Sequence, residues 1–259
     1  MPTKPSRTCG HSAIDLARMI ADTPRPAPGI GTPDHTVLDA GAFRRGIVDF
    51  IERELPVWRD RPERPAWTDE PSLNQSLCTH LNSASRRQSL DSIQFITEPL
   101  QGAGRHADIG AMPCGTLMVE NRVCYDFEQL LPIECKRLPT PPDRRRSPME
   151  YVKGLPGHRT GGIERFKHAL HGPDNAEAML IAYVQGESFA HWHAAINARL
   201  TELASAAEDD GLWSGSDTLT VCMDHSAQRM QRLHSQHQRL APPAVSAMVG
   251  ITHLWMQMN

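Results

Sequence analysis

Asp108 and the triplet Glu134-Cys135-Lys136, 26 residues further along this 259-residue chain, are the residues whose types and spacing hold the most chemistry. Read as a strand, residues 133–137 place Glu134 and Lys136 on one face and turn Ile133 and Cys135 the other way, into a core. A carboxylate and an ammonium two residues apart in so apolar a segment (LLPIECKRL) are costly unless they pair or bind a metal. A surface ion pair, worth little by itself, would suit an exposed strand better. Asp108 sits in an equally apolar context, HADIGAM. If the two strands are neighbours, both carboxylates meet beside the lysine. Such an all-oxygen set, with the Cys135 carbonyl as a further ligand, suits a hard cation such as Mg2+, with Mn2+ as a substitute. The chemistry that follows is phosphodiester hydrolysis. The cation would neutralise a non-bridging phosphate oxygen and acidify a water. Lys136 would orient or help deprotonate that water and stabilise the developing charge.

The elements that must position these residues can be read outwards from them. Three strand-like segments cover 92–100, 106–113 and 130–138, with a further strand or hairpin expected in GTLMVENRVCYDF. Two helices precede them. One runs from Val37 to about Trp58. The other lies in TDEPSLNQSLCTHLN, with Thr68 or Asp69 as its cap, Pro71 in its first turn and Leu73, Leu77 and Leu81 as its buried stripe. After a long loop, PTPPDRRRSP, comes a helix across GGIERFKHALHG and a buried strand, AMLIAYVQ. SFAHWHAAINARLTELASAAE reads as a helix with Ile196, Leu200 and Leu203 on one face, DTLTVCM as a strand, HSAQRMQRLHSQHQRL as a polar helix or loop, and ITHLWMQM as a closing strand. Alternating strands and helices point to an α/β sandwich around a mixed sheet. Residues 1–36, rich in Pro and Gly, read as a flexible lead-in with at most one short helix near 14–21, ahead of a single domain over 37–259.

Composition narrows the function classes. With 39% hydrophobic and 22% charged residues the chain is globular, and it lacks both an apolar run long enough to span a membrane and the apolar core of a secretory signal, so a cytoplasmic location is expected. No Cys-x-x-Cys pair and no His/Cys spacing of a known zinc module occurs, so the six cysteines are expected to be reduced, several in the core. A net charge of −3 argues against a module that coats nucleic acid through a broad basic face. Charge is uneven, however. Between Arg137 and His168 eight Lys and Arg face three acids, a local +5 directly after the Glu134 strand. Within it, Arg144, Arg145 and Arg146 could contact phosphates or simply be a solvated loop.

Asp108 in RHADIGAMP and Glu134-Cys135-Lys136 in LLPIECKRL resemble the motif of the PD-(D/E)XK nuclease superfamily, with Ala107 where the motif has proline. The resemblance runs from about Glu70 to Gln185. It implies a three-layer α/β/α restriction-endonuclease-like sandwich with a central mixed sheet, and a Mg2+-dependent endonuclease acting on DNA. It also implies Asp108 and Glu134 as metal ligands, Lys136 as the catalytic lysine, and a helix acid at Glu70, or less readily Asp69. A basic residue on the following helix would face DNA: Arg165 first, then Lys153 and Arg159. Stand-alone domains of this type commonly serve bacterial restriction or anti-phage defence. No separate DNA-reading module is visible, so target choice falls to loops, to a homodimer or higher oligomer, or to a partner protein. A non-cutting or conditionally activated subunit of a multi-protein defence complex is the alternative. The metal site does not by itself distinguish DNA from RNA.

The remaining features read as structural. His191 and His193 flank Trp192 at a helix start, and residues two apart do not share a helical face. His234 and His237, three apart, could meet on a helix as a structural or substrate contact. His253 reads as a half-buried strand residue. Met248, Met256 and Met258 read as core or interface filler. Gly161-Gly162 is too short to cradle a phosphate, and there is no ATP-binding loop.

Overall fold

In the computed structural model residues 41–258 are described, except 89, 101–104, 120, 207–210 and 241–245. The proline- and glycine-rich lead-in, and the short helix expected at most within it, lie outside the described residues.

Helix α1 (Ala42–Arg59) buries Ile47, Ile51, Leu55 and Trp58, a stripe at helical spacing. The segment RDRPERPAW breaks the helical pattern before α2 (Glu70–Arg87) begins. The Asp69 carboxylate caps α2 by accepting the Ser72 N–H at 3.0 Å, Pro71 occupies its first turn, and Leu73, Leu77 and Leu81 are wholly buried.

Strands β1 (Ile93–Thr97), β2 (Ile109–Pro113), β5 (Leu131–Leu138), β6 (Glu177–Val184), β7 (Thr220–His225), β8 (Met230–Gln238) and β9 (Met248–Gln257) form one sheet, ordered β1-β2-β5-β6-β9-β8-β7. Its centre is parallel (β5 with β6, β6 with β9) and both wings are antiparallel. A parallel centre must be covered on both faces, which is why Ala178 to Val184 are all buried. Ile133, Cys135, Met179, Ile181 and Tyr183 meet α1 and α2 on one face. On the other face Leu180, Ala182 and Val184 meet α3 (Gly162–Lys167) and α4 (Phe189–Ser205), where Ile196 and Leu200 are buried. The result is a mixed seven-stranded sheet, among the described residues, flanked by helices on both faces. β3 (Leu117–Val119) and β4 (Arg122–Cys124) form a separate hairpin. No described helix is long and apolar enough to cross a membrane. The described cysteines Cys78, Cys114, Cys124, Cys135 and Cys222 are free thiols.

Three sequence expectations need correction. The helix expected across GGIERFKHALHG covers only Gly162–Lys167, because Ala169 and Gly172 take positive φ values of 50° and 55° and turn the chain away. The segment expected to be a polar helix or loop contains β8 after a short 3-10 turn at Ser226–Gln228. Its inward row, Leu233, Ser235 and His237, is mostly polar, so period-two alternation does not show as hydrophobicity. His234 and His237 therefore point to opposite faces of a strand, His237 buried and His234 exposed. Finally, His253 is wholly rather than half buried.

Those buried polar side chains form a continuous chain of hydrogen bonds. Trp255 Nε1 donates to the Tyr151 hydroxyl at 2.8 Å, which lies 2.7 Å from His253 Nδ1. His253 Nε2 is 2.7 Å from Ser235 Oγ, which is 2.6 Å from His237 Nε2. His237 Nδ1 meets Asp217 at 2.8 Å, and Lys167 Nζ donates to both Asp217 oxygens at 2.8 Å. Burial holds both histidines below their usual titration range, so they are neutral links.

Candidate active site

Strands β2 and β5 pair antiparallel from Ala111↔Leu131 to Ile109↔Ile133, and there the ladder stops. Asp108 precedes β2 instead of lying within it. Its carbonyl accepts the Glu98 N–H at 3.0 Å and its carboxylate Oδ2 accepts the Cys135 N–H at 2.7 Å. The two strands thus fork, and β5 runs on beside β6 alone, with Glu134 opposite Leu180 and Lys136 opposite Ala182.

Glu134 and Lys136 share one face of β5, as their spacing requires. Lys136 Nζ is the focus of the cluster. It lies 2.8 Å from Glu134 Oε1, 3.0 Å from the Cys135 carbonyl, 3.5 Å from Glu70 Oε1 and 3.8 Å from Asp108 Oδ2. Glu70 reaches the cluster from the first turn of α2, which is anchored to the sheet where Tyr183 donates its hydroxyl to Asn74 at 2.9 Å. Asp69 is spent as the cap, so Glu70 is the acid the fold brings to Lys136. On the other side Arg165 Nη1 donates to Glu134 Oε1 at 2.5 Å. Glycines at 161 and 162 make this approach feasible. A Cβ at Gly161 would fall 2.4 Å from Lys153 Cα, and one at Gly162 would fall 3.0 Å from Leu180. The Gly161-Gly162 pair is a packing device that seats α3 over Lys136.

Electrostatics follow from this crowding. Burial would raise the Glu134 carboxyl, but Lys136, His171 and Arg165 outweigh it and hold the group well below the usual carboxylate range. Burial opposes the charge on Lys136, yet Glu134, Asp108 and Glu70 raise its ammonium above the ordinary value. Asp108 is raised to about 7, by burial first and then by Glu134 and Glu70, against the pull of Lys136.

Among the described residues no three His, Cys, Asp or Glu side chains are grouped so as to hold a metal ion, and Lys136 Nζ stands between the carboxylates. The donor set nonetheless fits a hard cation. Three carboxylates and one carbonyl surround a single cationic point, all of them oxygen donors. Glu70 Oε2 is buried with no hydrogen-bond partner. Asp108 carries more negative surroundings than the local cations balance. Glu70, Asp108, Glu134 and the Cys135 carbonyl would hold the ion. A cleft of about 310 Å3 opens onto Glu70 and Asp108, past Asn74, Gln75, Thr97 and Glu98.

The structure thus brings Glu70, Asp108, Glu134, Lys136 and Arg165 together. Arg146 joins them, ion-paired to Glu150 and 3.7 Å from Glu70. Arg144, Arg145 and Arg159 are exposed and Lys153 half-buried, in the segment between β5 and α3. Sequence reasoning missed His171, whose Nδ1 lies 2.8 Å from Glu134 Oε2. The turn at Ala169 and Gly172 delivers it, and no spacing rule signals that. No family model matches the chain, and neither a curated protein nor a solved structure matches it.

Proposed function

We propose that this protein is a Mg2+-dependent endonuclease of the PD-(D/E)XK kind, hydrolysing phosphodiester bonds in DNA on a restriction-endonuclease-like sandwich. The observation that carries the reading is the meeting of Glu70, Asp108, Glu134 and the Cys135 carbonyl around Lys136 Nζ, at the fork between β2 and β5. A cluster of this many buried ionisable groups is expensive to maintain, and metal-assisted hydrolysis is a use for it.

When bound, Mg2+ (or Mn2+) would supply charge neutralisation at a phosphate oxygen and an acidified water. The chain's own groups do the rest. Lys136 orients the attacking water and stabilises the negative charge that builds on the phosphate. Arg165 fixes Glu134 and presents its remaining guanidinium donors towards the backbone of the nucleic acid. Arg146 ties Glu70 to the loop that carries Arg144 and Arg145. A role in restriction or anti-phage defence belongs to this reading by resemblance.

A second reading has one observation in its favour. Lys136, Arg165, Arg146 and His171 already occupy the carboxylates, which suits a conditionally activated subunit whose partner opens the cluster. Purified protein tested on plasmid and single-stranded DNA with Mg2+ or Mn2+ separates the two readings. Cutting that EDTA and Lys136→Ala each abolish supports the nuclease. Well-folded protein that cuts only when a partner is added supports the second reading, and cutting that survives Lys136→Ala places the active site elsewhere.

A further inference from the structure

A second cavity, of about 570 Å3, lies along the outer side of α2. Gln75 lines both this cavity and the cleft at Asp108, so the two adjoin across one side chain. The walls combine aromatic and cationic groups. Trp67 is 45% exposed, so an indole face is open to the cavity's solvent side. The Arg64 guanidinium lies 5.2 Å over the Trp58 ring and donates to the Arg59 carbonyl at 3.1 Å. Arg64 has no ion-pair partner among the described residues. Arg61 is half exposed, with the exposed Glu63 at 3.8 Å and His80 Nδ1 at 3.4 Å from its guanidinium. Ser76, Thr79 and Ser83 line the α2 side with hydroxyls.

We infer that this groove binds an unpaired segment of nucleic acid, with a base stacked on Trp67 and backbone phosphates against Arg61 and Arg64. The inference deepens the nuclease reading and rests on it for the identity of the strand. An exposed indole beside two guanidinium groups and a row of hydroxyls is the composition that single strands use: a stacking platform indifferent to base identity, plus cations that follow the backbone. A duplex cannot offer a base face without unstacking, so the groove selects single-stranded substrate or a frayed end. Chain geometry places it correctly. Trp67 and Glu70 are three residues apart, so their Cα atoms are separated by no more than about 11 Å, a span of a few nucleotides at most. A strand seated on Trp67 therefore passes directly to the carboxylates.

The test uses the full chain in EDTA, so that cutting cannot interfere, with a fluorescein-labelled oligothymidylate and a labelled hairpin duplex as probes. Trp67→Ala and Arg61→Ala, both at exposed positions, are expected to weaken single-strand binding by about tenfold or more, with duplex binding unchanged. Trp67→Phe, which keeps a stacking face, should stay within about threefold of the parent. Single-strand affinity that is indifferent to Trp67→Ala, or an equal loss on both probes, overturns the inference. Failure of the two readings looks different. Trp67-dependent strand binding by protein that never cuts would remove the nuclease and keep the groove. Lys136-dependent cutting with Trp67-independent binding would do the reverse.

Discussion

His171 Nδ1 lies 2.8 Å from Glu134 Oε2, while the other oxygen of the same carboxylate takes Lys136 and Arg165. Neither His171 nor Glu134 lines the cleft; His171 steadies a wholly buried carboxylate that touches Lys136 behind it. His171→Ala is therefore expected to lower kcat by about 10–100-fold, as loss of a supporting contact does in metal sites, with little change in KM for DNA. His171→Asn, which can still donate, should recover part of the loss. An unchanged kcat would remove His171 from the site.

Asp108→Asn should separate activity from stability. The Asp108 carboxyl is raised from 3.8 to about 7. Between those values the folded chain holds a proton that the unfolded chain has released, so this site contributes stability at acidic pH that fades as pH rises through about 7. Asparagine keeps an acceptor for the Cys135 N–H and cannot ionise. We expect Asp108→Asn to abolish cutting, to raise Tm by about 2–6 °C near pH 8 in EDTA, and to raise it much less near pH 4, where the unfolded chain also holds most of the proton. Thermal melts at the two pH values decide; a lower Tm at the higher pH contradicts the charge balance given above.

Ser235→Ala cuts the buried chain of hydrogen bonds between His237 and His253. Two ring nitrogens lose a partner where water cannot replace it, a cost of about 2–4 kcal/mol, to be read from the urea midpoint. Burial keeps both rings neutral in the fold. As pH drops below the ordinary histidine value of 6.5, the unfolded chain gains protons that the folded chain refuses, and stability falls. The slope is best measured in Asp108→Asn protein, where the opposing carboxyl contribution is absent.

Arg144 and Arg145 sit exposed on the loop after β5. Arg145 is paired with Asp143 at 3.0 Å, and Arg144 has no ion-pair partner among the described residues. If the loop grips the phosphate backbone, Arg144→Ala should reduce the salt dependence of duplex binding by about one unit of log K per log salt concentration, and Arg145→Ala by less. Equal slopes for parent and Arg144→Ala would mark the loop as merely solvated.

Sequence patterns carried the centre of the sheet and the geometry of the cluster because both obey simple periods. Ile133 and Cys135 inward with Glu134 and Lys136 opposite is strand alternation, and Leu73, Leu77 and Leu81 beneath Glu70 is helix spacing. What stayed hidden follows other rules. Ser235 and His237 are core residues of β8 only because Asp217, His253 and each other satisfy them, and no hydropathy pattern anticipates a polar core row. His171 reaches Glu134 through positive φ at Ala169 and Gly172, a path set by tertiary packing. The contact of Arg165 with Glu134 was likewise not legible, because it depends on how α3 packs on the sheet.

The fork between β2 and β5 has a consequence for observing the site at work. The Cys135 amide is held not by the β2 backbone but by the Asp108 side chain. A cation that draws that carboxylate away uncouples a single amide from an otherwise closed core. Cys135 is thus a built-in sentinel: the rate at which its amide proton exchanges with solvent registers the state of Asp108, in a protein that need not turn over a single substrate to be read.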